Sequence, residues 1–282
     1  MEINIFNEDY KEAIKRIPDE SVDLVVTDPP YFINYQNKDW DKTSNFQEDS
    51  ESWIKECFRV LKPNGTLWSF MSYNRVFEFV PLLNKYGTCH LNNWTILCHS
   101  KGRGSSKHLK SLREDIFHVT KDPKKYTWNS LKTLREVIAP YVKDGRPRGW
   151  FIVDLPDENG EIVKHRARWT GLGNVWVYSF PQHNSICEKQ FHPSQKPVMA
   201  MERLIRLSSN PGDTILDPFL GSGTSAIAAR ISDRKFIGFE KNKEYFDFAK
   251  NRIDTFDITK FVEYNKTIDD LMNKTEQDLF PE

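Results

Sequence analysis

The feature that most narrows the fold is the stretch Val22-Asp23-Leu24-Val25-Val26-Thr27-Asp28-Pro29-Pro30-Tyr31, an apolar, β-branched run that stops at a carboxylate, two prolines and an aromatic ring. It reads as a strand of an α/β sheet followed by a stiff turn. The prolines lock φ and bar a helix, so Asp28, the peptide carbonyls and Tyr31 are held in place. In open α/β sheets ligands bind just beyond the carboxyl ends of the strands, which makes Asp28 to Tyr31 a candidate site. A plain strand terminator is the alternative for such a tetrapeptide.

The flanking sequence supplies the elements of such a sheet. Ile3–Phe6 reads as a strand and Asp9–Arg16 as a helix, with Ala13, Ile14 and Ile17 at roughly helical spacing and Pro18 as the stop, so the chain opens like a βαβ unit. Residues 32–50 are polar with Tyr35, Trp40 and Phe46 interspersed, and predict a long loop of the kind that forms lids. Ile54, Cys57, Phe58 and Leu61 follow helical spacing, with Asp49 or Ser50 as cap and Pro63-Asn64-Gly65 as stop. Strand Thr66–Met71, helix Val76–Tyr86 and strand Trp94–His99 complete this half. Regularity returns at Phe191: a helix from Pro197 through Leu207, strand Thr214–Asp217, helix Thr224–Ile231, strand Lys235–Glu240 and helix Glu244–Ile253.

Asp217-Pro218-Phe219-Leu220-Gly221-Ser222-Gly223-Thr224 joins a strand to a helix through a glycine loop. The glycines let backbone approach a ligand closely, and the helix start offers unpaired N–H groups. Nineteen positions after Gly221, Glu240 ends the next strand, where an acidic residue can bind both ribose hydroxyls. The pair implies an adenosine-bearing ligand. A dinucleotide is one alternative, but Ala226 stands where its full glycine fingerprint has a third glycine, and Asp217 precedes the loop. A cationic ligand end suits Asp217 better than a pyrophosphate does; S-adenosylmethionine, with a sulfonium and an ammonium beside its adenosine, fits.

The net charge is zero over 282 residues, yet residues 101–190 carry 17 Lys and Arg against 10 Asp and Glu. Lys101, Arg103, Lys107, Arg146, Arg148, Arg166 and Arg168 lie in this stretch, several beside aromatic rings such as Trp150 and Trp169. Cations that neutralise phosphates and rings that stack on bases suit a nucleic acid, although such pairs also occur on ordinary surfaces. The four cysteines, Cys57, Cys89, Cys98 and Cys187, are scattered without metal-ligand spacing, so they are expected to be reduced, with no metal site. No apolar run reaches 18 residues and the amino terminus is no signal peptide, so a cytoplasmic protein without a membrane span is expected.

The order DPPY after a strand, a variable basic insert, His192-Pro193-Ser194-Gln195-Lys196-Pro197, then the Asp217 to Thr224 loop resembles the amino-group DNA methyltransferases of the β arrangement, over roughly residues 3–253. The resemblance implies an α/β fold: a Rossmann-like S-adenosylmethionine-dependent methyltransferase sheet with helices on both faces, circularly permuted motif order and an inserted target-recognition region. It divides the chain into a catalytic half (1–100), the insert (101–190), a cofactor-binding half (191–254) and a carboxyl-terminal extension (255–282). It implies that Asp28, Pro29, Pro30 and Tyr31 are catalytic, acting on a base flipped out of DNA, and that Asp217, Phe219, Gly221, Ser222, Gly223, Thr224 and Glu240 bind S-adenosylmethionine. Lys196 and Asp9 match cofactor-side positions, although Glu8 intervenes between Asn7 and Asp9 where the family pattern has them adjacent.

DPPY goes more often with N6 of adenine than with N4 of cytosine in this family, and a restriction system with a cognate endonuclease is its usual setting; a homodimer is compatible. Methylation at cytosine carbon 5 is disfavoured on chemistry alone, because it needs a thiolate nucleophile. A nicotinamide oxidoreductase and a non-catalytic DNA-binding module are the readings from other classes.

Overall fold

The computed structural model describes residues 2–33, 41–43, 45–103, 111–136, 151–156, 162–171, 173–177 and 194–261. The chain divides into two units, Met1–Asn129 with Asn174–Asp257, and Ser130–Gly173 with Ile258–Glu282.

In the first unit the strands are β1 (Ile3–Phe6), β2 (Val22–Thr27), β3 (Leu61–Met71), β4 (Thr88–Cys89), β5 (Thr95–Arg103) and β6 (Ser111–Thr120). Three more come from the second part of the chain, β10 (Val175–Val177), β11 (Thr214–Asp217) and β12 (Lys235–Phe239). They form one nine-stranded sheet in the order β1-β12-β11-β2-β3-β6-β5-β10, with β4 also paired to β6. From β1 to β3 every pairing is parallel; β6 runs antiparallel to both β3 and β5. In the second unit β7 (Lys132–Glu136), β8 (Phe151–Pro156) and β9 (Ile162–Gly171) form an antiparallel sheet of order β7-β9-β8.

The helices are α1 (Tyr10–Ala13), α2 (Phe46–Val60), α3 (Val76–Tyr86), α4 (Val198–Ser208), α5 (Thr224–Ile231) and α6 (Lys243–Thr255). Central strands buried on both sides read as nearly continuous apolar runs, as β2 does apart from Asp23 and the terminal Thr27. Val25, Leu67, Met71, Phe117 and Val119 meet α2 and α3 in the main core through Trp53, Ile54, Phe58, Phe79 and Leu83. On the opposite face α4 packs on β2 and α5, and α5 on α6. This is the Rossmann-like sheet with helices on both faces.

Several expectations shift. The opening does not form a βαβ pair, since β12 and β11 lie between β1 and β2. Strands far apart in the chain take the places that sequence neighbours would fill. The expected loop over 32–50 is shorter, because α2 starts at Phe46 with Asn45 as its cap, its side chain accepting from Glu48 N–H at 3.2 Å. Asp49 and Ser50 are therefore inside the helix. Strand β3 begins at Leu61, so Pro63-Asn64-Gly65 lies within a strand; Leu61 leaves helical geometry at ψ 134° and pairs with Val22. The stretch 101–190 expected as an insert contributes β6 and β10 to the large sheet, because their registers join β3 and β5. The separate antiparallel sheet is confined to a narrower middle segment.

Asp23 clamps the centre of the sheet. The β2–β3 register shifts between Val22 and Leu24, and there Asp23 accepts from Thr214 N–H of β11 at 3.0 Å and from Lys62 Nζ of β3 at 2.7 Å. Asp23→Ala should lower unfolding stability by about 1–3 kcal/mol, read as a lower urea midpoint at unchanged slope. An unchanged midpoint would show that the clamp carries no stability.

Candidate active site

The carboxyl ends of β2 and β11 are neighbours because those strands pair directly, Ile215 with Leu24 and Leu216 with Val25. The turn after β2 and the glycine loop after β11 therefore begin side by side. Thr27 Oγ1 donates to Asp217 Oδ1 at 2.7 Å across 190 residues of chain.

Asp217 is 2% exposed, and both its oxygens are engaged: Oδ1 also accepts from Phe219 N–H at 3.0 Å, and Oδ2 accepts from Ser225 Oγ at 2.5 Å. Its carboxylate shapes the loop from beneath. The sequence placed Asp217 with the cofactor, and here its donors come from β2, the loop and α5. Gly221 and Gly223 take positive φ, 51° and 75°, which favours glycine. A Cβ on Gly223 would also sit 3.0 Å from Ile253 Cδ1 of α6. Arg252 of α6, buried, donates to Ser222 O at 2.9 Å and Thr224 Oγ1 at 2.8 Å. Phe219 lies between Tyr10 and Trp53, with ring centroids 4.8 and 5.9 Å away.

Glu240 follows β12 and turns back to the loop, accepting from Gly221 N–H at 3.0 Å and Asn242 N–H at 2.8 Å. Burial raises its carboxyl above the ordinary range. Beside it, Asn7 Nδ2 donates to the Glu240 carbonyl at 2.8 Å. Asp9 is exposed and caps α1 by accepting from Lys11 N–H at 2.9 Å. Of the residues after β1, Asn7 thus bonds the chain at the end of β12.

In the turn after β2, Tyr31 Oη donates to Asp28 Oδ1 at 2.6 Å, and Lys196 Nζ donates to Asp28 Oδ2 at 2.5 Å. Lys196 is 2% exposed; Nζ also donates to Ser194 O and lies 3.4 Å from Glu114 Oε2. Burial opposes its charge, but Asp28 and Glu114 outweigh that and hold the ammonium above its ordinary value. Burial also pushes the Tyr31 phenol well up, helped by Asp28, so it remains a donor. The Lys196 carbonyl accepts from Thr224 Oγ1 at 3.3 Å, so this residue touches both the DPPY turn and the glycine loop. Its side chain serves Asp28, where the sequence placed it with the cofactor.

After the turn the backbone is strained. Phe32 has φ 53°, unfavourable for a bulky residue. Asp41, 1% exposed, accepts from Phe32 and Ile33 N–H at 2.6 and 3.0 Å, and Arg75 donates to Phe32 O at 3.0 Å. Asp41, Arg75, Glu114 and Arg252 carry no motif of their own, and only their contacts reveal them.

Lys101 and Arg103 fall in β5, and Arg166 and Arg168 at alternate positions of β9 in the second unit. Lys107, Arg146 and Arg148 lie outside the described residues, as do Tyr35, Trp40, Cys187 and His192. Cys57, Cys89 and Cys98 are free thiols; burial pushes Cys57 far up and Cys89 to about 11, which makes poor nucleophiles of both. No helix among the described residues is long and apolar enough to cross a membrane.

A family model described as DNA methylase, covering N6 and N4 amino-methyltransferases, matches residues 22–251. The chain is 34% identical over 275 residues to the type II methyltransferase M.HpaI of Haemophilus parainfluenzae, covering 95% of this chain and 78% of that protein. It is also 34% identical over 263 residues to the DNA adenine methyltransferase YhdJ of Escherichia coli strain K12, covering 89% and 82%. Among solved structures, the M1.HpyAVI-SAM complex is similar at 25% identity and a TM-score of 0.58, covering 89% of this chain and 99% of that one.

Asp217 gives a test independent of any ligand. Burial pushes its carboxyl up to about 6 against the lowering bonds from Ser225, Thr27 and Phe219 N–H. The folded value exceeds the ordinary one of about 4, so ionising Asp217 costs stability; the cost is absent below about pH 4 and complete above about pH 6. Asp217→Asn should remove it, flattening the pH dependence of unfolding from pH 4 to 7 by up to about 3 kcal/mol. Denaturant titrations across that window check this, and parallel profiles for the two proteins would contradict it.

Proposed function

The chain belongs to the N6/N4 DNA methylase family, and from that premise we propose that it transfers a methyl group from S-adenosylmethionine to the N6 amino group of adenine in DNA. The adjacent ends of β2 and β11 carry the reading: they bring a DPPY turn and a glycine loop to one edge of one sheet. Asp28, Glu114, Asp217 and Glu240 set carboxylates at this edge against the ammonium of Lys196, a negative excess suited to a cationic sulfonium. Gly221, Ser222, Gly223, Thr224 and Phe219 would hold the cofactor, with Glu240 exchanging its backbone partners for ribose hydroxyls. Asp217 supports the loop, and Asp9 lies nearby as the cap of α1. When bound, S-adenosylmethionine supplies an electrophilic methyl group.

An exocyclic amino group is a poor nucleophile because its lone pair is delocalised into the ring. The Asp28 carboxylate and the Pro29 carbonyl accept its two N–H bonds and draw the nitrogen toward a tetrahedral shape, which frees the lone pair for attack. Pro30 keeps these acceptors stiff. Tyr31 stacks on the flipped base, offsetting part of an unstacking cost of a few kcal/mol. To admit that amino group, Asp28 Oδ1 gives up the bond it accepts from Tyr31. The surplus proton leaves through Asp28 or water.

Adenine is favoured over cytosine N4 by the DPPY sequence and by the adenine specificity in the name of the relative YhdJ. The type II designation of M.HpaI supports work beside a cognate restriction endonuclease. Such a protein acts where the DNA is, in the cytoplasm. Arg166 and Arg168 on β9, with the other basic residues of 101–190, are proposed to contact phosphates.

Incubating the protein with unmethylated genomic DNA and labelled S-adenosylmethionine should label the DNA, and sequencing that detects modified bases should find N6-methyladenine in one sequence context. Asp28→Ala should lose about a thousandfold or more in methyl transfer while still binding the cofactor. N4-methylcytosine as the product would overturn the adenine assignment, and full activity in Asp28→Ala the mechanism.

A further inference from the structure

Glu114 belongs to no motif, yet its carboxylate stands beside the Lys196 ammonium that bonds Asp28. It comes from β6, the antiparallel strand between β3 and β5, where it lies opposite Leu97. Strand alternation places it on the same face as Ile116, which pairs with Phe70. Lys196 Nζ sits over the Phe70 ring at 5.3 Å and the Tyr31 ring at 5.7 Å, between Asp28 Oδ2 at 2.5 Å and Glu114 Oε2 at 3.4 Å.

Asp28 and Lys196 alone would form a neutral pair. A carboxylate that shares its charge with an ammonium 2.5 Å away is a weaker acceptor for a substrate N–H. Glu114 stands 3.4 Å from the ammonium, and its pull on it is mainly electrostatic. Adding its charge leaves the trio net negative and gives Lys196 a second anion to pair with once Asp28 engages an amino group. Among the described residues, the charged and titratable groups that act with Glu114 include Lys196, Asp28, Tyr31 and the neighbouring Asp115 on its own strand. Asp115 is occupied elsewhere, accepting from Trp94 Nε1 at 2.7 Å.

We infer that Glu114 is a positioning residue for methyl transfer: by drawing on the Lys196 ammonium it keeps Asp28 a strong acceptor for the target amino group. This rests on the methyltransferase reading of the same site.

The test compares wild type, Glu114→Gln and Glu114→Asp as full-length proteins, with unmethylated genomic DNA and labelled S-adenosylmethionine. Glutamine keeps size and polarity and removes the charge. It should lower kcat roughly tenfold or more while KM for DNA and cofactor stays within about twofold, and aspartate should recover part of the loss. Melting curves matching wild type exclude misfolding as the cause. Wild-type kcat in Glu114→Gln would overturn the inference, as would equal losses in both variants, which mark a purely structural role. A wild type that labels no DNA would overturn the underlying reading and this inference with it.

Discussion

The hydrogen bond from Thr27 to Asp217 joins the two ends of the motif order. It exists because β11 pairs with β2, so the carboxyl ends of two strands separated by most of the chain meet at one edge. Parallel strands place their carboxyl ends on one side of a sheet, and the loops that follow form a crevice there. The DPPY turn, the glycine loop and Glu240 each follow such a strand. Lys196 then bridges the turn and the loop, with its side chain on Asp28 and its carbonyl on Thr224.

The site is electrostatically expensive. Burial raises the carboxyls of Asp217, Glu240 and Glu114, and the structure offsets that cost with directed donors. Asp217 takes a threonine, a serine and a backbone N–H; Glu240 takes two backbone N–H groups. The three bonds to Asp217 fix that carboxylate within the fold itself. Phe32 shows a similar trade, its strained backbone held by Asp41 and Arg75.

Much of the sheet was readable because buried parallel strands and amphipathic helices leave strong local patterns; Val76–Tyr86, Thr214–Asp217 and Thr224–Ile231 fall at the boundaries expected. The start of α2 was missed because its cap, Asn45, lies in a polar run with no periodicity before it. Strand neighbours were not readable either, since only packing decides that β12 and β11 separate β1 from β2. Among site residues, those inside motifs could be found by spacing. Glu114, Asp41 and Arg252 could not, because a lone charged residue in a strand, loop or helix reads as solvated surface until its partner is seen. Lys196 was found by motif, yet its partner Asp28 is 168 residues away and only the fold brings them together.

The Thr27–Asp217 bond ties the DPPY turn to the glycine loop. The most direct test is calorimetric binding of S-adenosylmethionine to wild type and Thr27→Val, a change that keeps shape and removes the hydroxyl. Losing one buried bond to a charged group should weaken binding by roughly tenfold, with a parallel drop in methyl-transfer rate. Unchanged affinity and rate in Thr27→Val would contradict the account.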